Sequence, residues 1–412
     1  MISDEAFLED SSIVNFLKLR SSFGILGNDR IDEFKFVSTI NGEGVYVFDD
    51  EIVVGSATGP IANPEIQWEE QRTFDIGLET RLLNNKINLT VDYFNRTTEN
   101  LLLNVEASRI LGNAAPGAGP PTVNAGTVRN KGLEFQIGYI ENITDDLKFN
   151  VSYNFTTLDN EVLEVNNGIG YEVGGVFGIG QANRPSRMEV GQPIGVFYGL
   201  QTNGVFQSQA EVDAHPSQLA LGANAQPGDL RFVDVNKDGV LNEEDRTFIG
   251  SPIPEVTMGL NLAVDYKNFD FQTYFFASIG NDIVRNYDRN DRITNKTIYA
   301  LERWTGPGST NTNPRVTTGA TANGVFSDYF VEDGSFLRAQ NMQLGYTFNE
   351  EKLNNIGLRN IRLYLSVSNV FTLTEYRGFD PTSSNGAPIG GGIDPGFYPN
   401  PRTFLLGTNV KF

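Results

Sequence analysis

One stretch of this 412-residue chain combines residue types and spacing that could bind a metal ion. Residues 234–245 read Asp-Val-Asn-Lys-Asp-Gly-Val-Leu-Asn-Glu-Glu-Asp, which matches the calcium-loop pattern D-x-[DN]-x-[DN]-G. Calcium prefers about six to eight oxygen ligands, and alternate positions of a tight loop point towards one centre. The predicted ligands are therefore the side chains of Asp234, Asn236, Asp238 and Asp245, together with the main-chain carbonyl of Val240.

Two details of this loop limit its predicted role. Asp245 occupies the twelfth position, where the pattern has Glu, and its shorter reach favours a tighter site or one with fewer ligands. No amphipathic helix precedes Asp234, so the pattern favours a calcium ion that braces a long loop over a calcium sensor. The alternative interpretation is an Asp/Asn/Gly turn that binds no metal.

The overall composition excludes several other kinds of chemistry. The chain has 31 Lys and Arg against 51 Asp and Glu, a formal net charge of −20, which argues against nucleic acid as a partner. It has no cysteine, which excludes disulfides, thiol catalysis and cysteine-ligated zinc. His215 is the single histidine, which argues against a Ser-His-Asp triad, and no acid/base pair of a glycosidase can be nominated. We therefore expect a protein that is not an enzyme.

The elements that would carry the loop are β-strands, because apolar and polar residues alternate along most of the chain. In 256–266, Val256, Met258, Leu260, Leu262, Val264 and Tyr266 alternate with small or polar residues. The same pattern recurs at 74–82, 86–95, 133–139, 147–156, 269–279, 342–348, 361–367 and 404–412, with weaker candidates at 14–23, 45–54, 101–106 and 195–206. The sequence predicts an all-β fold, an antiparallel meander of 11–12 long strands.

The length and spacing of these strands favour a transmembrane β-barrel over a soluble sheet. The segments run to about ten residues, which is the length that a tilted strand needs to cross a bilayer. Short turns such as 267–268 alternate with long connections at 163–194, 207–253 and 280–335, and outer-membrane barrels place their long loops outside the cell. The last strand, 404–412, ends in the aromatic Phe412. A soluble antiparallel sheet with one wet face is the alternative.

Motifs spread along the chain resemble one family, the SusC/RagA-type TonB-dependent outer-membrane transporters. The region from Gly228 through the calcium-type loop to Gly250 is the most characteristic part of this resemblance. The other matching stretches are 17–24, 63–69, 124–134, 333–338, 344–348, 369–372, 378–381 and 401–404.

The resemblance implies active uptake of an oligosaccharide or a peptide across the outer membrane, with a SusD-like surface lipoprotein and the TonB–ExbB–ExbD motor as partners. It also implies contact with outer-membrane lipid and a barrel of about 22 strands around an N-terminal plug. A secreted, calcium-braced, β-rich carbohydrate-binding protein is the alternative function. It would require a conventional apolar core, which the polar faces of the predicted strands do not offer.

The chain departs from that family in its length. Its start, Met1-Ile2-Ser3-Asp4-Glu5, does not resemble a signal peptide, and no apolar run is long enough for a transmembrane helix. We therefore expect residues 1–412 to be the C-terminal portion of such a barrel, without plug, TonB box or N-terminal strands, and 228–250 to be a calcium-type loop within it. Each end strand of such a portion would expose an unpaired edge.

Overall fold

The computed structural model consists mainly of β-strands, with one short α-helix, α1 (Gln209–Asp213), among the residues that it describes. Those residues are 2–5, 8, 11–31, 33–104, 118–178, 184–287, 297–348, 353, 358–382 and 388–412. The strands are β1 (Val14–Asn28), β2 (Ile40–Phe48), β3 (Glu51–Thr58), β4 (Glu69–Leu82), β5 (Ile87–Asn104), β6 (Thr122–Thr144), β7 (Leu147–Thr157), β8 (Asp159–Val165), β9 (Tyr171–Gly174), β10 (Ser186–Glu189), β11 (Val196–Gly199), β12 (Thr202–Val205), β13 (Leu230–Phe232), β14 (Thr247–Gly250), β15 (Val256–Tyr266), β16 (Phe269–Ile279), β17 (Asp282–Arg285), β18 (Val331–Asp333), β19 (Phe336–Thr347), β20 (Asn360–Thr374), β21 (Ile393–Asp394) and β22 (Thr403–Lys411). Short 3-10 helices lie at Ile2–Asp4, Leu219–Leu221, Glu243–Asp245, Ile298–Glu302 and Asp328–Phe330.

One large antiparallel sheet, which we call the main sheet, contains the long strands. It joins β1, β4, β5, β6, β7, β15, β16, β19, β20 and β22 in that order, with β8 beside β6. The total of 11 strands confirms the predicted all-β meander. The predicted limits of two strands, 256–266 and 269–279, coincide with β15 and β16.

Two of the weaker strand predictions were wrong in detail, and a third is confirmed as the end of a longer strand. Residues 45–54 are not one strand, because the chain reverses at Asp49 and Asp50, which both have positive φ angles, to form the hairpin β2–β3. Residues 101–104 continue β5, and 105–106 lie outside the described residues. Residues 195–206 contain two short strands, β11 and β12, which belong to small sheets outside the main sheet.

The two faces of the main sheet differ in composition because side chains alternate across each strand. One row of laterally paired residues is apolar across six strands: Phe149, Val264, Phe271, Leu344, Leu365 and Leu406. This face, the apolar face, is not covered by other described residues: Leu344 is 50% exposed and Leu406 is 78% exposed. The opposite face, the polar face, carries mainly Asn, Gln, Ser, Thr and charged residues.

The buried apolar clusters lie away from the middle of the main sheet, where the long connections fold together. One cluster surrounds Met188 and Val162, a second surrounds Phe232 and Leu241, and a third surrounds Phe197 and Phe326. The connections 158–255 and 280–335, which leave the same end of the main sheet, supply most of these residues. We call this the long-loop end and the opposite one the short-turn end. Within the described part of the chain, no helix is long and apolar enough to cross a membrane.

Candidate functional site

The polar face of the main sheet divides into two sectors with different charge. The charged sector lies on β1, β4 and β5 and consists of Lys18, Arg20, Asp75, Glu79, Arg81, Asp92 and Arg96. Its cations lie against its anions: an Arg20 nitrogen is 2.6 Å from an Asp92 oxygen, and an Arg96 nitrogen is 4.0 Å from an Asp75 oxygen. These ion pairs are partly open to solvent, since the side chains of Arg20 and Arg96 are 49% and 42% exposed.

A glycine on the middle strand permits the shortest of these ion pairs. Arg20, Gly77 and Asp92 face each other on three adjacent strands, and the arginine crosses the glycine to reach the carboxylate. A β-carbon at Gly77 would lie 1.6 Å from an Asp92 oxygen, so no larger residue fits under this pair. Gly345 has the same role on β19, where Arg362 reaches Asp270 across it.

The neutral sector occupies the same face on β7, β15, β16, β19 and β20. Two neighbouring rows across these strands contain no formal charge: Asn150, Ala263, Gln272, Gln343 and Ser366 form one row, and Ser152, Asn261, Tyr274, Asn341 and Ser368 form the other. Charged residues return in the rows on either side: Lys148, Asp265 and Asp270 lie nearer the short-turn end, and Arg338 lies nearer the long-loop end.

A shallow cavity of about 460 Å³ lies on the neutral sector. Its lining includes Asn150, Ser152, Asn261, Gln272 and Tyr274. The side chains of Asn150 and Gln272 are exposed and have no hydrogen-bond partner among the described residues. The cavity therefore presents free amide donors and acceptors without a net charge.

The calcium-type loop lies at the long-loop end, between β13 and β14. Asp245 is fully buried, and its two carboxylate oxygens accept hydrogen bonds from the main-chain N–H groups of Val235 and Asn242, both at 2.9 Å. Asp234 Oδ2 accepts the N–H of Gly239, whose φ of 85° is the left-handed conformation that glycine adopts readily. The loop is therefore closed by its own predicted ligands.

The predicted ligands lie together in this loop, but they are engaged mainly with its own N–H groups. Asn236 Oδ1 accepts the N–H of Asp238, and Asp238 Oδ1 accepts the N–H of Val240. Among the described residues, no three His, Asp or Glu side chains converge closely enough to bind one metal ion. One atom is left over: Asp234 Oδ1 is buried and has no hydrogen-bond partner. This orphaned carboxylate oxygen fits a cation, and the five-ligand set stays a prediction.

Buried ion pairs fasten other long connections at the same end. Arg338 on β19 and Asp380, in the connection before β22, are 2.5 Å apart, with side chains only 6% and 7% exposed. Burial alone would raise the pKa of Asp380, but the N–H of Thr382 and the Arg338 guanidinium outweigh it and lower this pKa to about 2. Arg285 and Glu332 form a second buried pair.

The sequence did not reveal the ion pairs or the sectors, because both depend on strand register. Arg338 and Asp380 each lie in a stretch that resembles the transporter family, but nothing local links residues that are 42 positions apart. The charged residues of β4 do alternate in sequence. Their partners on β1 and β5 follow only from the observed pairing.

Comparison with known proteins identifies the type of sheet. Residues 29–370 match the family model described as "TonB dependent receptor-like, beta-barrel". The whole chain is 32% identical to TonB-dependent receptor P3 of Formosa agariphila and 31% identical to TonB-dependent receptor SusC of Bacteroides thetaiotaomicron. It covers 41% and 39% of those proteins, so it spans about two fifths of their length.

A solved structure of the RagAB peptide transporter has the same fold as this chain. The TM-score is 0.78 at 22% identity, over 100% of this chain and 42% of the transporter chain. All of these relatives are receptors or transporters, which confirms the expectation that the chain is not an enzyme.

Proposed function

The chain belongs to the TonB-dependent receptor-like β-barrel family, and we propose that it forms part of the wall of an active importer of nutrients in the outer membrane. The proposal is carried by the main sheet, which joins ten long strands edge to edge and leaves its apolar face uncovered by described residues. A barrel wall needs that arrangement, because its outer face contacts lipid and its inner face contacts water or protein.

The aromatic residues of the apolar face also support its contact with lipid. Tyr266, Phe269 and Tyr346 lie side by side on β15, β16 and β19 at the short-turn end. Aromatic side chains are enriched where a membrane meets water, so this row fits one membrane interface. The alternative, a secreted carbohydrate-binding protein, would need the apolar face to be covered by a core, which the described residues do not provide.

The hairpin β2–β3 supports a protein partner outside the membrane. Tyr46, Phe48 and Ile52 are 72%, 69% and 73% exposed, and an isolated two-stranded hairpin is at best marginally stable in water. Exposed apolar surface of this kind is typical of an interface. We propose that a SusD-like surface lipoprotein covers the long-loop end, and that the TonB–ExbB–ExbD motor acts through another part of the importer.

Energised uptake tests this function. We expect cells that produce the complete importer to accumulate at least one of three labelled mixtures: neutral oligosaccharides, acidic oligosaccharides or peptides. Collapse of the proton-motive force should abolish accumulation, because the motor draws on it. Cells without the importer provide the background. Accumulation of no mixture above that background would contradict the proposed function.

We also propose that the loop 234–245 binds one structural Ca²⁺, with Asp234, Asn236, Asp238, Val240 and Asp245 as ligands. The buried and unpartnered Asp234 Oδ1 supports this proposal, because a buried carboxylate oxygen without a donor is costly unless a cation is bound. Oxygen ligands from an irregular loop suit Ca²⁺, whose coordination geometry varies, better than Mg²⁺, which demands octahedral geometry.

Calorimetric titration of the complete importer tests this site. We expect Ca²⁺ binding that Asp238→Ala weakens by about tenfold or more, since the variant removes one charged oxygen ligand and affinity follows the charge count of the ligands. Asp213→Ala is the matched control, because Asp213 is an exposed carboxylate in helix α1 outside the loop, and it should bind as the unmodified importer does. If both variants and the unmodified importer take up the same amount of Ca²⁺, the loop is only a turn.

A further inference from the structure

The turn between β15 and β16 contains a lysine that the geometry of the turn does not favour. Lys267 and Asn268 form this two-residue turn, and Lys267 has a φ of 53°. Asn, Asp and Gly are preferred in such turns, because other side chains are strained at positive φ. The hairpin β2–β3 follows this preference and has Asp49 and Asp50 at the corresponding positions. The role of Lys267 therefore has to come from its charge.

The ammonium group of Lys267 lies at the edge of the apolar face. Its Nζ is 5.5 Å from the centroid of the Tyr266 ring, and Tyr266 is the last apolar-face residue of β15. Phe269 and Tyr346 continue the row, with ring centroids 4.8 Å apart, and the Phe348 ring lies 5.1 Å from that of Tyr346. We call these four rings the aromatic strip. Tyr266 and Phe269 are half-exposed, so a cation lies beside an open aromatic surface.

The charge of Lys267 is not balanced by another described residue, since its side chain forms no ion pair with any of them. Asp146, in the turn before β7, accepts the main-chain N–H of Lys267 with its carbonyl oxygen, at 2.8 Å. Asp265 lies on the polar face, across the sheet from Tyr266. At the same end of the main sheet, by contrast, Lys86 Nζ is 2.6 Å from a carboxylate oxygen of Glu141. Lys267 can therefore pair with an anion from outside the chain.

An anionic membrane lipid matches this arrangement of one free cation, an aromatic strip and an uncovered apolar face. The phosphate of its headgroup can accept from the Lys267 ammonium, while its acyl chains lie along the apolar face. A zwitterionic lipid carries an additional ammonium group, for which the aromatic strip and Lys267 offer no carboxylate. A soluble anion such as inorganic phosphate could use the lysine but not the apolar surface beside it.

We propose that Lys267 and the aromatic strip bind the headgroup of an anionic glycerophospholipid in the membrane leaflet at the short-turn end. Lys267 supplies the charge, and the Tyr266 ring stabilises its ammonium group by a cation–π contact. Phe269 lies where the glycerol backbone of the lipid meets its acyl chains. This inference goes beyond the proposed function, and it rests on the same placement of the main sheet in a membrane.

Photolabelling of the complete importer in lipid vesicles tests this site. The probe is phosphatidylglycerol with a photoreactive group on its headgroup, and the readout is the labelled fraction of peptides from 256–279. Lys267→Asn removes the charge and introduces a residue that tolerates a positive φ, so the hairpin should keep its fold. We expect this variant to lower the labelled fraction by about fivefold, since one lysine near a membrane surface contributes about that factor. Lys267→Arg keeps the charge and should label as the unmodified importer does.

Lys148→Asn is the matched control, because Lys148 is an exposed lysine at the same end, on the polar face opposite Asp265. It should change the labelled fraction by less than about twofold. The inference is overturned if Lys267→Asn labels normally, if Lys148→Asn causes the same loss, if a phosphatidylcholine probe labels the hairpin equally, or if excess inorganic phosphate abolishes labelling. In each of those cases energised uptake by the unmodified importer continues and the proposed function stands. Absence of all uptake would instead contradict the function itself.

Discussion

Replacement of Arg338 by Ala should loosen the connection 375–402, which Arg338 holds through Asp380. Arg338 is buried, its Nε donates to Thr372 Oγ1, and its guanidinium holds Asp380, which is also buried. Removal of one partner leaves the other charge buried and unpaired, which costs about 3–5 kcal/mol. Hydrogen exchange of main-chain amides in this connection should therefore accelerate by about 100-fold or more.

Two controls separate this effect from general damage. Arg402→Ala removes an exposed arginine whose one side-chain hydrogen bond among the described residues goes to the Asn369 carbonyl, and it should change exchange by less than about fivefold. The double variant Arg338→Ala/Asp380→Ala removes both charges and should recover part of the protection. If Arg338→Ala exchanges as slowly as Arg402→Ala, the pair does not fasten the connection.

Lowering the pH should weaken the pair of Arg338 and Asp380 without any mutation. The folded protein lowers the pKa of Asp380 to about 2, whereas an unfolded Asp titrates at about 3.9. A lowered pKa in the folded state contributes stability that is complete above about pH 4 and is lost as the pH falls through 2. In Arg338→Ala the pKa of Asp380 rises, because a cation that favours its charged form is gone, so protection should fail at a higher pH.

The middle of each long strand could be predicted from sequence because alternation is a local property. Strands β15 and β16 were predicted to the residue, since apolar side chains alternate along their whole length. The predicted segments 86–95 and 133–139 were shorter than the observed strands, because β5 ends only at Asn104 and β6 begins already at Thr122. Towards the long-loop end, the pair of Phe74 on β4 and Asn95 on β5 gives way to Arg72, Thr97 and Arg129 on β4, β5 and β6. The hydrogen-bond ladder continues there, but the apolar signal stops.

The two candidate sites also differ in whether a local sequence pattern or strand register brings their residues together. The loop 234–245 could be predicted because its ligand pattern lies within twelve consecutive residues. The neutral sector could not, because Asn150, Asn261 and Gln272 meet only through the register of three strands, and β7 and β15 are separated by a long connection. The sequence around an amide on one strand does not indicate which residue lies opposite it on the next strand.

A charge on the apolar face should cost far more than the same charge on the polar face. Met342 lies on the apolar face of β19, paired with Thr273 and Val367, and is four residues from the aromatic Tyr346. That position is near the middle of the hydrocarbon layer, where arginine costs about 2–4 kcal/mol in a barrel. Met342→Arg in the complete importer should lose that amount of unfolding free energy, measured by urea titration in lipid vesicles.

The difference between Met342→Arg and Gln343→Arg tests most directly whether this sheet is the wall of a transmembrane barrel. The two residues are neighbours on one strand and have side chains of similar length, but Gln343 lies on the polar face, opposite Gln272. We predict that Gln343→Arg costs less than about 1 kcal/mol while Met342→Arg costs about 2–4 kcal/mol. Equal costs, or a larger cost at Gln343, would contradict the assignment of the apolar face to lipid and of the polar face to the lumen.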